Sequence, residues 1–117
     1  MKRLFAALLL GLVVAGPAHA TGGFVCRTAA KQPVEVSLGF GHVPGSPLIL
    51  AQLVDNGRKV PAKPVQWWLD NAEMRLLLID PEAHRQQLLL KARRNGFFYD
   101  GTLWRNGQRR WVRCRES

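Results

Sequence analysis

Cys26 and Cys114 are the only two cysteines in a chain of 117 residues, and they can serve either as a disulfide or as reactive thiols. A catalytic or redox thiol wants a neighbouring base or a C-x-x-C spacing, and neither cysteine has one. A structural bridge is the expectation. It would close most of the chain into one loop, which chain-entropy arguments value at about 4 to 5 kcal/mol.

Other reactive side chains are sparse. His42 lies in a Gly/Pro-rich segment and His84 close to Pro81, with no H-x-x-x-H or H-E-x-x-H spacing for zinc. Ser37, Ser46 and Ser117 have no base nearby in sequence, there is no G-x-S-x-G elbow, and no glycine pattern suited to phosphate links a strand to a helix. Asp80 and Glu82 suit a helix start better than an acid–base pair. The sequence predicts no catalysis, no cofactor and no bound metal ion.

Arginine and tryptophan carry more information. Asn106-Gly107 is the preferred two-residue turn of type I′, which pairs Arg105 with Gln108, Trp104 with Arg109, Leu103 with Arg110, Thr102 with Trp111 and Tyr99 with Cys114. Paired residues share a face, so Tyr99, Leu103, Val112 and Cys114 are predicted to face the core. The opposite face carries Phe98, Thr102, Trp104, Arg109, Trp111 and Arg113. From it Trp104, Arg109, Trp111 and Arg113 form a candidate anionic-ligand face, with rings that stack on sugars or lipid heads and guanidinium groups that hold acidic oxygens. The competing reading makes the arginines cation–π lids over the rings, or has a second layer cover them. Trp67 and Trp68 are adjacent on a strand and point to opposite faces, which predicts one in the core and one at its rim.

Charge is segregated along the chain. From Thr21 to His84 six basic and six acidic residues balance, whereas from Arg85 onward nine basic residues face only Asp100 and Glu116. A one-sided basic segment concentrates anionic partners: lipid head groups, lipopolysaccharide, acidic cell-wall polymers or an acidic protein. The plainer reading of the same charge is a solvated surface. No nucleic acid is expected as a partner, because the first residues point to export.

Those first residues are Met1-Lys2-Arg3, an apolar run from Leu4 to Gly16, and Ala18-His19-Ala20. This is the layout of a cleaved signal peptide over residues 1–20, of the bacterial Sec type. The run is short for a spanning helix, which needs about 20 apolar residues, and no second run of that length follows. The expectation is a periplasmic or secreted product starting at Thr21, in a compartment that favours the Cys26–Cys114 bridge. The remaining 97 residues suit one disulfide-tied domain, 21–117.

The elements positioning these residues read as short strands. Phe24 to Thr28 and Val34 to Leu38 alternate apolar and polar residues; Gly39 to Pro47 reads as a loop. Leu48 to Val54 turns at Asp55-Asn56-Gly57 into a short return strand, since Pro61 and Pro64 suit only an edge or an extended link. Val65 to Leu69 and Met74 to Ile79 form a second hairpin around Asp70-Asn71-Ala72-Glu73. Asp80-Pro81-Glu82 has helix-start chemistry. A single helical turn over 81–85, then a strand Gln87 to Arg93 turning at Asn95-Gly96 into Phe97 to Trp104, is preferred to one helix over 81–94, whose Leu88, Leu89, Leu90 and Ala92 would crowd together.

With a cysteine in the first strand, another in the last and a late tyrosine-glycine hairpin, the layout of Cys26, Tyr99, Gly101 and Cys114 resembles that of the periplasmic inhibitors of c-type lysozyme. The resemblance implies a small β domain that inhibits a hydrolase. The S-G-x-x-Y inhibitory loop of that family is absent, with Asn95-Gly96-Phe97-Phe98-Tyr99 at the nearest position, so no inhibitory residues carry over. Like charges would also slow encounter with a basic lysozyme.

The sequence thus predicts a mainly β fold, a small single-domain antiparallel barrel or sandwich of about six to eight strands, with a helical turn near 81–85. The α+β alternative has a helix at 81–94. The favoured function is an exported, non-catalytic envelope protein that binds an anionic partner through its C-terminal hairpin. The alternatives are a periplasmic hydrolase inhibitor and a structural envelope protein without a specific ligand.

Overall fold

The computed structural model describes residues 22–41 and 48–117; the signal-peptide expectation, His42 and Ser46 lie outside them. Nine strands follow one another: β1 Gly22–Thr28, β2 Val34–Phe40, β3 Leu48–Asp55, β4 Arg58–Val60, β5 Lys63–Leu69, β6 Glu73–Ile79, β7 Gln86–Asn95, β8 Phe98–Arg105 and β9 Gln108–Glu116. All pairings are antiparallel, in the order β4-β3-β2-β1-β9-β8-β7-β6-β5. The single sheet curls into a half-barrel, which settles the choice between barrel and sandwich. The count exceeds the expected six to eight because the three-residue return strand β4 does pair with β3.

That order consists of two meanders, β1 to β4 and β5 to β9, joined side by side through β1 and β9. Every other pairing is between consecutive strands. Cys26 and Cys114 face each other across this junction, 3.9 Å apart at Cα, and are bridged. The disulfide therefore staples the one place where the two halves share a ladder. Met74 Sδ packs 3.9 Å from Cys26 Sγ.

The edges of the sheet are β4 and β5, and the chain passes directly from one to the other through Pro61 and Ala62. Pro61 has no N–H to offer a ladder, and Pro64 sits on β5 beside an irregularity in the register with β6. Both prolines fall at sheet edges, as their chemistry demands.

Alternation decides which face is buried. Along β2, Val34, Val36, Leu38 and Phe40 are buried while Glu35, Ser37 and Gly39 are only partly covered. The same period puts Leu76 and Leu78, Leu88 and Leu90, Leu103, Val112 and both cysteines into the concave interior. Phe24 bridges the two halves near one end, edge-on to Tyr99 at 5.6 Å and to Phe40 at 6.3 Å. Buried Thr28 accepts the Val34 N–H at 2.9 Å, closing the β1–β2 connection.

The turns follow their residue chemistry. Asn56-Gly57 and Asn106-Gly107 take positive φ at both positions (55° and 76°, 53° and 74°), the type I′ requirement. The β7–β8 turn corrects the sequence expectation by one residue. Asn95 stays in the ladder opposite Phe98, and Gly96 (φ 64°) and Phe97 form the loop, because a type II′ turn wants glycine at its first position.

The expected helical turn at 81–85 and the alternative helix over 81–94 are both absent. Asp80 captures the chain locally instead: Oδ1 accepts the N–H groups of His84 and Arg85 (2.7 Å each), and its carbonyl accepts that of Ala83. Ala83 then takes φ 62°, which ends any helical path, and the Asp80 N–H donates to the Arg85 carbonyl. The side chain that would have capped a helix closes a loop. From Gln86 the chain is strand, so Leu88 and Leu90 point inward and Leu89 points out.

Candidate functional site

The C-terminal hairpin has the register its turn dictates: Trp104 opposite Arg109, Thr102 opposite Trp111, Asp100 opposite Arg113 and Tyr99 opposite Cys114. Tyr99, Leu103, Val112 and Cys114 are buried as expected. Trp104, Arg109, Trp111 and Arg113 share the convex outer face, with Trp111 52% exposed. Since β7, β8 and β9 are neighbours in the sheet, Lys91, Arg93, Arg109 and Arg113 of the basic last third share this outer face, whereas Arg94 and Arg110 lie opposite the buried Tyr99 and Leu103 on the inner one.

Arg113 is already occupied there. Its Nε and Nη2 donate to Asp100 Oδ1 and Oδ2 at 2.7 and 2.9 Å, and Asn95 Nδ2 donates to Asp100 Oδ2 at 2.9 Å. The guanidinium lies 4.2 Å over Phe98 and 5.4 Å over Trp111. The Arg113 hydrogen bonds hold the Asp100 carboxyl below its ordinary value, and the same contacts raise Arg113. The lid reading of the sequence thus holds for Arg113. Arg109 differs, because no carboxylate among the described residues pairs with it.

Cross-strand registers extend this face beyond the hairpin. One row runs Trp111, Thr102, Lys91, Arg75, Trp68 across β9 to β5. On one side lies a row of ions, Glu35, Arg27, Arg113, Asp100, Arg93 and Glu73, three of each sign. On the other lie Arg109, Trp104, Leu89, Leu77 and Gln66. The charge-balanced row includes the Arg27–Glu35 pair at 2.9 Å and the Arg113–Asp100 pair at 2.7 Å.

Trp67 and Trp68 overturn the expectation of one core and one rim residue, being 41% and 49% exposed. Trp67 lies opposite buried Leu76 and so faces inward, but β5 is an edge and the wall that would cover it is missing. Trp68 faces outward opposite Arg75, whose guanidinium sits 5.7 Å over its ring. Its indole N–H donates to Asp70 Oδ2 at 2.8 Å. Asp70 Oδ1 also accepts the N–H groups of Ala72 and Glu73, and these bonds, Ala72's foremost, hold its carboxyl below the ordinary value.

The ends of the half-barrel differ. One is plugged by Arg105, whose Nε donates to Asp55 Oδ2 at 2.6 Å across the interior from β8 to β3, and whose Nη1 donates to the Gln87 carbonyl and Oε1 at 3.0 Å. The other opens into a cleft of about 690 Å³ walled by Phe24, Phe40, Trp67, Leu69 and Tyr99, where the Tyr99 hydroxyl donates to the Asp70 carbonyl at 2.6 Å. A second groove, about 660 Å³, lies on the outer face over Leu77 and Leu89 beside Trp68.

His84 is exposed in the Asp80 loop and Ser117 follows β9, its N–H bonded to the Gly23 carbonyl. Among the described residues no three His, Cys, Asp or Glu side chains gather as metal ligands, and no helix is long and apolar enough to cross a membrane. The sequence reading missed Trp68, Arg75 and Lys91 as members of the face; the signal lay in three successive strand registers, none of which a single hairpin reveals. Comparison of the chain with protein-family models, with curated proteins and with solved structures finds no match.

Proposed function

We propose that this is an exported, non-catalytic binding protein of the cell envelope that recognises an anionic partner through the outer face of its C-terminal strands. The observation that carries the reading is Arg109 beside Trp104 and near Trp111 on a face where other arginines, Arg27 and Arg113, are neutralised by carboxylates. An uncompensated cation next to half-covered aromatic surface attracts an anion and gives it an apolar platform. Within the candidate set Trp104, Arg109, Trp111 and Arg113, the direct contacts belong to Arg109 and the two rings. Arg113 holds Trp111 in place.

The test is retention of the purified protein on immobilised lipopolysaccharide and on an acidic cell-wall polymer across a salt gradient. Retention that weakens with salt and falls with Arg109→Glu supports the reading. Salt-insensitive retention, unchanged by the substitution, overturns it.

A further inference from the structure

The cation–aromatic row does not end with the hairpin, and its far half lines the outer groove over Leu77 and Leu89. Lys91 and Arg75 stand directly opposite each other on β7 and β6, a like-charge cross-strand pair that disfavours the sheet. The other such pair, Arg27 opposite Arg113, is relieved by Glu35 and Asp100. Arg75 has only a looser contact with Glu73 at 3.4 Å, and no carboxylate among the described residues pairs with Lys91. Beside this pair Trp68 walls the groove whose floor is half-buried Leu77 and Leu89 and whose rim includes Gln66.

We propose that this groove, on the outer face of β5, β6 and β7, is a subsite for one uronic-acid residue of an acidic glycan. The carboxylate sits between Lys91 and Arg75, the C–H face of the sugar ring lies on the leucine floor and against the part of Trp68 that the Arg75 guanidinium, 5.7 Å over its ring, leaves uncovered, and Gln66 serves a hydroxyl. A glycan fits better than a bilayer because the exposed apolar groups, Val65 and Trp68, wall a half-buried leucine floor whose mouth carries the Lys91–Arg75 pair, so that apolar surface and cations converge on one carboxylate-bearing ring; a membrane-docking face needs a continuous projecting apolar face. The row continues to Trp111, four strand spacings or about 19 Å away, so an extended oligomer can cross from this subsite to the hairpin. The assignment rests on the anionic-partner reading above and places its strongest contact on different residues.

The experiment titrates the full chain with a galacturonate tetramer, its neutral galactose counterpart and phosphatidylglycerol vesicles, following tryptophan fluorescence and calorimetry. The expected result is saturable binding of the charged tetramer alone, weakened at least about tenfold by Trp68→Ala and by Lys91→Glu. Lys91→Arg should stay within about threefold of the parent, and circular dichroism of each variant checks the fold. Tetramer binding unchanged in both Trp68→Ala and Lys91→Glu overturns the subsite. Vesicle binding without tetramer binding, lost in Arg109→Glu, also overturns it and leaves the hairpin reading standing. Failure to bind the tetramer, vesicles, lipopolysaccharide or an acidic cell-wall polymer overturns both.

Discussion

Arg113 and Asp100 face each other across the C-terminal hairpin and are joined by two hydrogen bonds, at 2.7 and 2.9 Å. The pair makes one of the most arginine-rich strands of the chain locally neutral where it crosses β8. It also separates two arginines that the sequence made equivalent. Arg113→Ala should lower the urea midpoint and increase tryptophan mobility, as Phe98 and Trp111 lose their cover. Arg109→Ala should leave the midpoint unchanged and alter only anion retention. Equal stability effects from the two substitutions would refute this division.

Acid should loosen three places together. The carboxyls of Asp70, Asp80 and Asp100 are each held below the ordinary value of 3.8, by the N–H groups of Ala72 and of Arg85 and by Arg113 respectively as the leading causes. A depressed folded-state value means that the unfolded chain binds the proton first, so the contribution is complete above the ordinary value and disappears as pH falls through the folded-state one. The melting temperature should therefore decline below about pH 4. Asp70→Asn and Asp80→Asn should each make that decline shallower.

Reduction of Cys26–Cys114 should cost about 2 to 5 kcal/mol, read as a shift in urea midpoint between the oxidised protein and a Cys26→Ser, Cys114→Ser double variant. Hydrogen exchange supplies the sharper readout. Protection should fall first in β1 and β9, whose mutual ladder the bridge staples, and last in β6 and β7 within one meander.

Gly101 occupies an inward position opposite Ala92, where an added Cβ would lie 2.0 Å from the Lys91 carbonyl oxygen and 2.6 Å from the Ala92 Cα. Those atoms are backbone and cannot swing aside. Gly101→Ala should destabilise by about 1 to 3 kcal/mol, the range for forced overpacking, by calorimetry or urea titration.

What the sequence disclosed was local. Asn106-Gly107 fixed five cross-strand pairs because a type I′ turn leaves no freedom of register, and Pro61 and Pro64 marked both sheet edges because they lack the donor a ladder needs. The failures have two causes, competition between equivalent local chemistries and dependence on strand order beyond a single hairpin. Asp80 with Pro81 offers the same groups to a helix or to a side-chain-closed loop, and only the following strand selects the loop. Asn95-Gly96 and Gly96-Phe97 both make acceptable turns, and the Asn95–Asp100 bond favours the second. Trp67 looked like core because its face is inward; that its neighbouring wall is missing depends on strand order. The Trp68–Arg75–Lys91 cluster required successive registers, including one with an irregularity beside Pro64, and these are invisible one hairpin at a time.

The junction of the two meanders has a consequence for synthesis. Each of the other pairings joins two consecutive strands and can form as soon as the second of them leaves the ribosome, but the free edge of β1 is matched only by β9, the last of the nine described strands to be made. For nearly the whole of synthesis that edge is an open template for pairing with another chain. Low temperature or slow oxidation should therefore favour strand-exchanged dimers held by intermolecular Cys26–Cys114 bonds, and a circular permutant opened at Pro61-Ala62, which makes β9 and β1 successive, should escape them.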